Sequence, residues 1–264
     1  MQTPVLSVQG LTKHYGGVRA LTDARFALQP GEHAAIVGDN GAGKSTFVRL
    51  ITGVEQPSGG DILLDGQKVN FDSPLDAREQ GIETVYQTLA LAEDLDVPAN
   101  IFLGRELTRF NLGPLSVLNH KAMREQSAQM LATTGVKIQD MSESLRGMSG
   151  GQRQCVAIAR AAGFAKKLII LDEPTAALGV QETARVEEII KGLKQRGVPL
   201  IIISHNLRQV FDLVDRIWVF RQGRIICSRP KHLTNPEEIV GLITGAIDPA
   251  SLRAETGAQE AVAC

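Results

Sequence analysis

The stretch GDNGAGKST, residues 38–46, combines three glycines with a lysine and two adjacent hydroxyl side chains. It fits the pattern GxxxxGK[ST] with Gly38, Gly43, Lys44 and Ser45. Glycines let successive backbone N–H groups turn toward an anion, and a helix that begins beside Lys44 adds the positive end of its dipole. A lysine there balances charge on outer phosphates, and the hydroxyl of Ser45 can bind Mg²⁺. The loop predicts a polyphosphate site; the plain alternative is a glycine-rich strand-to-helix turn without a ligand.

A dinucleotide-binding fingerprint, GxGxxG, is the obvious rival for such a loop. Starting at Gly41, that pattern needs a glycine at position 46, which is Thr46. The residues therefore exclude this rival.

Two adjacent carboxylates, Asp172 and Glu173, end the apolar run LIILD and precede Pro174. Because proline disfavours a helix at the residue before it, we expect the pair at the end of a buried strand. Asp172 there can hold the Mg²⁺ shell, and Glu173 can orient and deprotonate an attacking water. The alternative is an ordinary strand end with solvated carboxylates.

A second helix start with an anion-binding composition lies at MSGGQ, residues 148–152. Ser149, Gly150 and Gly151 lead into a helical pattern, so their backbone N–H groups can hold a phosphate. A serine cap followed by two glycines also occurs for structural reasons alone. The chain thus carries two candidate phosphate sites.

The elements that position these residues alternate between strands and helices. Short apolar runs predict strands at 34–38, 168–172, 199–204 and 216–220. A helix between the second and third of them is predicted from four apolar residues on one face, Val186, Ile189, Ile190 and Leu193. This alternation predicts an α/β fold with a parallel sheet covered by helices.

Flanking segments differ from this pattern. Strands at 5–8 and 20–28, separated by a loop at 13–18, predict a small β-layer, and Asp65-Gly66 marks a hairpin turn. Residues 89–151 lose strand character, which predicts an inserted helical lobe.

Single residues mark the ends of two further segments. Asn119 is expected to cap a helix that Gly135 stops. A terminal helix is predicted from Asn235, and a frayed tail over 254–264.

Composition excludes several classes of function. Lys plus Arg total 28 against 29 Asp plus Glu, so no broad positive field exists to hold a nucleic-acid backbone. The three cysteines, Cys155, Cys227 and Cys264, lie far apart and indicate neither a disulfide framework nor a zinc site. No apolar run approaches the roughly 18 to 20 residues that span a bilayer, and no signal-peptide pattern follows Met1. We expect a cytosolic protein that does not bind nucleic acid.

The motifs together resemble those of ABC-transporter ATP-binding subunits, over about residues 5–230. The family's motifs occur here in their usual order: Walker A at 38–46, a glutamine loop at Gln87, the LSGGQ-type signature at 148–152, Walker B at 168–173 and a switch histidine at His205. The resemblance implies an α/β P-loop NTPase (RecA-like) core with an N-terminal antiparallel β-layer and an inserted α-helical lobe. The implied domains are an ATP-binding cassette at 1–234, with its core at 1–88 and 152–234 and its lobe at about 89–151, and a C-terminal helix and tail at 235–264.

The resemblance also implies roles for single residues. Lys44, Gln87, Glu173 and His205 would be catalytic: Gln87 would sense Mg²⁺ and a membrane partner, and His205 would contact the γ-phosphate and Glu173. Mg²⁺ would be held by Ser45, Gln87 and Asp172. ATP would be held by Tyr15, which stacks on adenine, and by Gly38, Asn40, Gly41, Gly43, Lys44, Ser45, Thr46, Ser149, Gly150, Gly151 and Gln152.

Plain structural roles are the alternatives for three of these residues. Tyr15 can be a loop aromatic that packs on the sheet, Gln87 a solvated polar residue at a strand end, and His205 a helix cap.

Partners follow from the same resemblance. In the family, two subunits pair head to tail so that Ser149 and Gly151 of one would cover the ATP held by Lys44 of the other. A single cassette implies a homodimer, bound to transmembrane permease subunits and, through them, to a periplasmic sugar-binding protein. The expected location is the cytoplasmic face of the bacterial inner membrane.

Two stretches narrow the class further. NIFLGRE (100–106) and DEPTAALGV (172–180) resemble the monosaccharide-import class, with fructose, ribose or xylose as the sugar. The loop after Walker B departs from the common SALD, because residues 176–179 are Ala, Ala, Leu and Gly. Met148 replaces the commoner leucine of the signature.

Two other classes of function compete with this interpretation. A soluble ABC ATPase acting in DNA repair, on chromosomes or on ribosomes usually needs coiled coils, extra cassettes or basic surfaces. A metabolite kinase would leave the signature and His205 unexplained.

Overall fold

The computed structural model describes residues 2–110 and 116–253. Its strands are β1 (Leu6–Tyr15), β2 (Val18–Leu28), β3 (His33–Gly38), β4 (Gly59–Leu64), β5 (Gln67–Val69), β6 (Ile82–Val85), β7 (Thr108–Phe110), β8 (Val117–Leu118), β9 (Leu168–Asp172), β10 (Leu200–Ile203), β11 (Arg216–Arg221) and β12 (Arg224–Pro230). Its α-helices are α1 (Lys44–Ile51), α2 (Pro74–Glu79), α3 (Val97–Ile101), α4 (His120–Thr133), α5 (Gly150–Phe164), α6 (Val180–Gln195), α7 (Leu207–Leu213), α8 (Pro236–Thr244) and α9 (Pro249–Arg253).

A six-stranded sheet lies at the centre, in the order β12-β11-β3-β10-β9-β6. The strands from β11 to β6 are parallel, and the edge strand β12 pairs antiparallel with β11. Along β9, Ile169 and Leu171 pack into a core shared with α5 and α6, whereas Leu168 and Ile170 pack into a second core shared with β1, β2 and α1. Burial on both faces explains why these strands read as continuous apolar runs. The predicted α/β fold with a parallel sheet is confirmed.

The N-terminal β-layer is a four-stranded antiparallel sheet, ordered β2-β1-β4-β5. The predicted loop at 13–18 is wrong, because β1 continues to Tyr15 and pairs Tyr15 with Val18. A two-residue turn, Gly16-Gly17, is sufficient to reverse the chain, as in the commonest hairpins. Tyr15 therefore ends a strand.

The helical lobe is built mainly from α3, α4 and the start of α5. Asn119 caps α4 by accepting a hydrogen bond from the Ala122 N–H at 3.2 Å, as predicted. Residues 89–151 were predicted to lose strand character and to be mainly helical, but β7 and β8 pair antiparallel within this range. Strands of three and two residues are too short to show alternation.

The C-terminal part begins with a helix that was predicted from sequence. Asn235 caps α8 by accepting from the Glu238 N–H at 2.8 Å. The predicted frayed tail at 254–264 lies outside the described residues. Among the residues described, no helix is both long and apolar enough to cross a bilayer. The domain boundaries stay a prediction.

Candidate functional site

The glycine loop, residues 38–46, joins β3 to α1 and shapes the start of that helix. Gly43 has a φ of 101°, and a Cβ at this position would lie 2.9 Å from the Ala20 carbonyl oxygen. Only glycine fits both conditions. Among the described side chains none caps the start of α1, so its first N–H groups remain available to a ligand.

Lys44 is folded back over this loop. Its Nζ donates hydrogen bonds to the carbonyl oxygens of Gly38 and Asp39, at 2.7 and 2.8 Å. Burial lowers the pKa of Lys44, while Glu173, Asp39 and Asp172 act in the opposite direction. The Lys44 ammonium group is thus partly desolvated, and a bound polyphosphate would stabilise its charge.

Gly38 has a structural role at the other end of the loop. Its φ is 153°, and a Cβ would lie only 2.4 Å from the Phe220 carbonyl oxygen of β11. Gly38 does not line the cleft described next. It contributes its carbonyl group to Lys44 and lets β3 approach β11.

A cleft of about 540 Å³, here called the glycine-loop cleft, opens above the loop. It brings together nine of the residues predicted from sequence: Asn40, Gly41, Gly43, Lys44, Ser45, Thr46, Gln87, Asp172 and Glu173. They lie at or after the carboxyl ends of β3, β6 and β9, and the carboxyl ends of parallel strands meet at one edge of the sheet. This edge is where open α/β folds bind ligands.

Part of the cleft wall was not predicted, namely Val18, Arg19, Ala20, Ala42, Ile203, Gln222 and Gly223. Gly223 fixes this wall, because its N–H donates to the Ala42 carbonyl oxygen at 3.0 Å and its own carbonyl accepts from the Thr22 N–H at 2.8 Å. The turn between β11 and β12 supplies Gln222 and Gly223, and a Gln-Gly pair before RIIC was the available signal.

The adjacent carboxylates at the end of β9 have different surroundings. Burial raises the pKa of Asp172, and so does the charge of Glu173, whereas Lys44 and Arg49 lower it. Glu173 has a φ of 50°, a left-handed conformation that is uncommon outside glycine. Its N–H donates to the Ile203 carbonyl oxygen at 2.9 Å. The left-handed conformation of Glu173 turns the backbone after β9, so that the side chains of Asp172 and Glu173 take separate positions.

Glu173 is paired with His205, the second residue after β10. His205 Nδ1 lies 2.8 Å from Glu173 Oε1. The Glu173 side chain is 16% exposed and that of His205 is 76% exposed. A nearly enclosed carboxylate is thus held by an imidazole that faces solvent.

Tyr15 lies at the edge of this site. Its hydroxyl contacts the Glu55 carboxylate and interacts with Thr46 of the loop. Lys13 Nζ lies 5.2 Å from the centroid of its ring, and the residue is 42% exposed. Tyr15 does not line the glycine-loop cleft itself.

The signature residues form a separate helix start. Ser149 and Gln152 make a reciprocal capping box, with the Ser149 N–H 2.9 Å from Gln152 Oε1 and the Gln152 N–H 3.2 Å from Ser149 Oγ. None of the four residues from Ser149 to Gln152 lines the glycine-loop cleft. The structure therefore does not bring the two predicted phosphate sites together within one chain.

Glu182, which lies on α6 and was not predicted from sequence, places its carboxylate at the start of the signature helix α5. Glu182 Oε1 accepts hydrogen bonds from Ser149 Oγ at 2.7 Å and from the Gly151 N–H at 3.3 Å. The two partners are more than 30 residues away in the chain. No local pattern signals such a contact.

Comparison with known proteins agrees with the fold and with the family that the motifs resemble. The ABC transporter family model matches residues 21–176. The fructose import ATP-binding protein FrcA of Rhizobium meliloti is 46% identical over 252 residues, which cover 94% of this chain and 96% of that protein. The xylose/arabinose import ATP-binding protein XylG of Sulfolobus acidocaldarius is 44% identical over 240 residues, covering 91% and 94%.

A solved structure gives the same result at the level of the fold. A nucleotide-free ATP-binding cassette from an ABC transporter superposes with a TM-score of 0.76 at 25% identity, covering 96% of this chain and 99% of that one. The chain belongs to the ATP-binding proteins of the ABC transporter family.

Proposed function

We propose that this chain is the ATP-hydrolysing subunit of a monosaccharide importer. The observation that carries the proposal is the convergence of Lys44, Asp172 and the Glu173–His205 pair on one cleft edge. Lysine, two differently placed carboxylates and an exposed helix start are the groups that phosphoryl transfer to water requires.

Each of these side chains has a distinct task in hydrolysis. Lys44 exchanges its two carbonyl partners for the outer phosphate oxygens of ATP. Glu173 orients and deprotonates the attacking water, and His205 holds the Glu173 carboxylate in place through their 2.8 Å contact. Tyr15, exposed at the edge of the site, offers its ring to the adenine base.

The residues of the cleft also fit a bound Mg²⁺. Ser45, Gln87 and Asp172 lie in its wall and offer a hydroxyl, an amide and one carboxylate. In the part of the chain that the structure describes, no three acidic, His or Cys side chains cluster as a metal site. Mg²⁺ suits this set, because it binds through one or two carboxylates together with phosphate oxygens and water. When bound with ATP, it would neutralise charge on the phosphates.

Hydrolysis in this scheme requires a second copy of the chain. The signature residues Ser149, Gly150 and Gly151 lie outside the glycine-loop cleft of their own chain. In a head-to-tail homodimer they cover the nucleotide held by Lys44 of the other copy and meet its γ-phosphate with a helix N-terminus. ATP then joins the two chains, and its hydrolysis separates them.

The transported solute is inferred from the relatives. FrcA and XylG carry fructose import and xylose/arabinose import in their names, which favours import over a soluble ABC ATPase of repair, chromosomes or ribosomes. The chain is a peripheral subunit at the cytoplasmic face of the inner membrane, bound to a permease that receives sugar from a periplasmic binding protein. ATP-driven closure moves the permease.

Sugar uptake in a strain that lacks the gene tests this function. We expect loss of uptake of at least one labelled monosaccharide among fructose, xylose and ribose, restored by the wild-type gene but not by the Glu173→Gln variant. Unchanged uptake of all three sugars in the deletion strain would contradict monosaccharide import.

A further inference from the structure

The signature helix holds an anion from its own chain. Besides the contacts of Glu182 Oε1 with Ser149 Oγ and the Gly151 N–H, the second oxygen, Oε2, accepts from the Gly179 N–H at 3.2 Å. One carboxylate thus bridges the starts of α5 and α6.

This arrangement depends on glycine at position 151. A Cβ there would lie 2.7 Å from Cβ and Cγ of Glu182, so a larger residue would displace the glutamate. The hydrogen bond from Ser149 lowers the pKa of Glu182, and the Gly179 N–H acts in the same direction. The side chain is therefore an anion at neutral pH.

The loop after β9 explains why Glu182 takes this place. Residues 176–178 are Ala, Ala and Leu, and Gly179, the residue before α6, has no side chain that could cap this helix. A glutamate at the third position of a helix reaches back to the N–H of the capping residue. Glu182 does so with one oxygen and presents the other to Ser149 and Gly151.

We propose that Glu182 occupies, in the separate protomer, the anion position that the terminal phosphate of the partner copy's ATP takes in the closed dimer. The inference rests on the two-chain site proposed above. A hydroxyl and a helix N–H that bind a carboxylate oxygen present the same donors to a phosphate oxygen. Two anions cannot share these donors without strong repulsion. Glu182 must leave before the dimer closes, so it sets the ATP concentration that closure requires.

A purely structural role for Glu182 predicts the opposite effect. If the carboxylate only orders the two helix starts, its removal loosens the signature and weakens dimer closure. The proposal predicts a gain, because the donors become available without displacement of a charge. Misfolding of a variant cannot produce such a gain.

The experiment uses the full chain in the Glu173→Gln background, in which hydrolysis does not remove the dimer. The fraction of dimer is measured by light scattering after size exclusion, over a series of ATP concentrations with Mg²⁺. The added change Glu182→Gln should lower the ATP concentration for half-maximal dimer about tenfold, the magnitude of one charge-assisted hydrogen bond.

A matched control is Glu188→Gln in the same background. Glu188 is exposed on the same helix, six residues and about 9 Å further along. The Glu188→Gln change removes the same charge from α6, and we expect its ATP requirement to lie within twofold of that of the parent.

The outcomes separate the inference from the function on which it rests. Dimers that form with an unchanged or higher ATP requirement in the Glu182→Gln variant overturn the inference alone. Absence of ATP-dependent dimers in the parent and in every variant overturns the two-chain site and the inference with it.

Discussion

At the scale of single residues, Glu173 is the general base that we propose. It combines a left-handed backbone, a nearly enclosed carboxylate and a 2.8 Å contact with His205. Strained backbone conformations of this kind occur at functional sites, where the surrounding structure maintains them. The sequence indicated the residue type and its place after a strand, but not the strain.

The first prediction concerns the change Glu173→Gln. The amide keeps the shape of the side chain but cannot accept a proton, so turnover should fall by about 10² to 10⁴ while ATP binding is retained. Phosphate release and nucleotide binding measured on the same preparation check this. Wild-type turnover in the variant would disprove the role of the base.

The second prediction concerns Asp172→Asn and uses the raised pKa of Asp172. Because burial raises the folded-state pKa of this carboxyl group, its contribution to the free energy of unfolding is complete at pH values below the unfolded-state pKa. That contribution is lost as pH rises through the folded-state value. The attraction to Lys44 opposes this shift without cancelling it.

We therefore expect the ligand-free Asn variant to have a higher Tm than wild type at pH 7, with the difference shrinking toward about pH 4. Addition of Mg²⁺ and ATP should raise the Tm of wild type more than that of the variant. Thermal unfolding at both pH values, with and without ligand, measures these effects. A lower Tm of the ligand-free variant at pH 7 contradicts the account.

At the scale of the elements, the start of α5 is the part that we propose contacts the partner copy. The third prediction is that Ser149→Arg spares ATP binding by one chain but blocks ATP-dependent dimer formation, because a long cation replaces the short capping hydroxyl. Size exclusion with ATP, in the Glu173→Gln background, measures the dimer. The control Ser142→Arg changes an exposed serine in the nearby loop and should leave dimer formation intact; equal behaviour of the two variants would refute the role of α5.

The fourth prediction concerns the contact between β3 and β11 at Gly38. Because a Cβ would lie 2.4 Å from the Phe220 carbonyl oxygen, Gly38→Ala should reduce the free energy of unfolding by at least about 1–3 kcal/mol, the range for overpacking. Gly192 provides a control of opposite sign, because it lies inside α6 and an added Cβ would have no neighbouring atom within 4 Å. Gly192→Ala should stabilise the protein by about 0.5–1 kcal/mol. Denaturant unfolding gives both values, and equal stabilities of wild type and Gly38→Ala would contradict the packing.

The elements differ in how far the sequence reveals them. β9 and β10 were predicted well, because burial on both faces leaves continuous runs of Ile and Leu. The antiparallel pair β7 and β8 and the edge strand β12 were missed, since short or half-exposed strands carry weak patterns. Because β12 was missed, the turn that precedes it was missed as well, and with it Gln222 and Gly223 of the cleft wall.

At the scale of the whole molecule, two cores on opposite faces of one sheet fix the relation between the site's parts. One core joins the sheet to the β-layer and α1, and the other joins it to α5, α6 and the lobe. Aromatic contacts connect the first core, with the rings of Phe26 and Trp218 4.7 Å apart and those of Phe47 and Phe220 5.4 Å apart. The two cores thereby hold the glycine loop and the signature helix at separate places on the central sheet.

The separation of the glycine loop from the signature helix could not be derived from local sequence patterns. Five motifs in order identify the family and its fold, but the position of Glu182 across the signature depends on contacts over 31 and 33 residues of chain. Such pairs follow from the packing of α5 against α6, which no single stretch encodes. The proposed split of the nucleotide site between two copies would likewise be a property of the assembly.

The central claim is that ATP is held between two copies of this chain, and a structure of the Glu173→Gln variant with ATP and Mg²⁺ tests it most directly. The account predicts a dimer with two nucleotides, each with its phosphates against Lys44 of one copy and Ser149 of the other. A triphosphate enclosed entirely by the residues of one chain would contradict it.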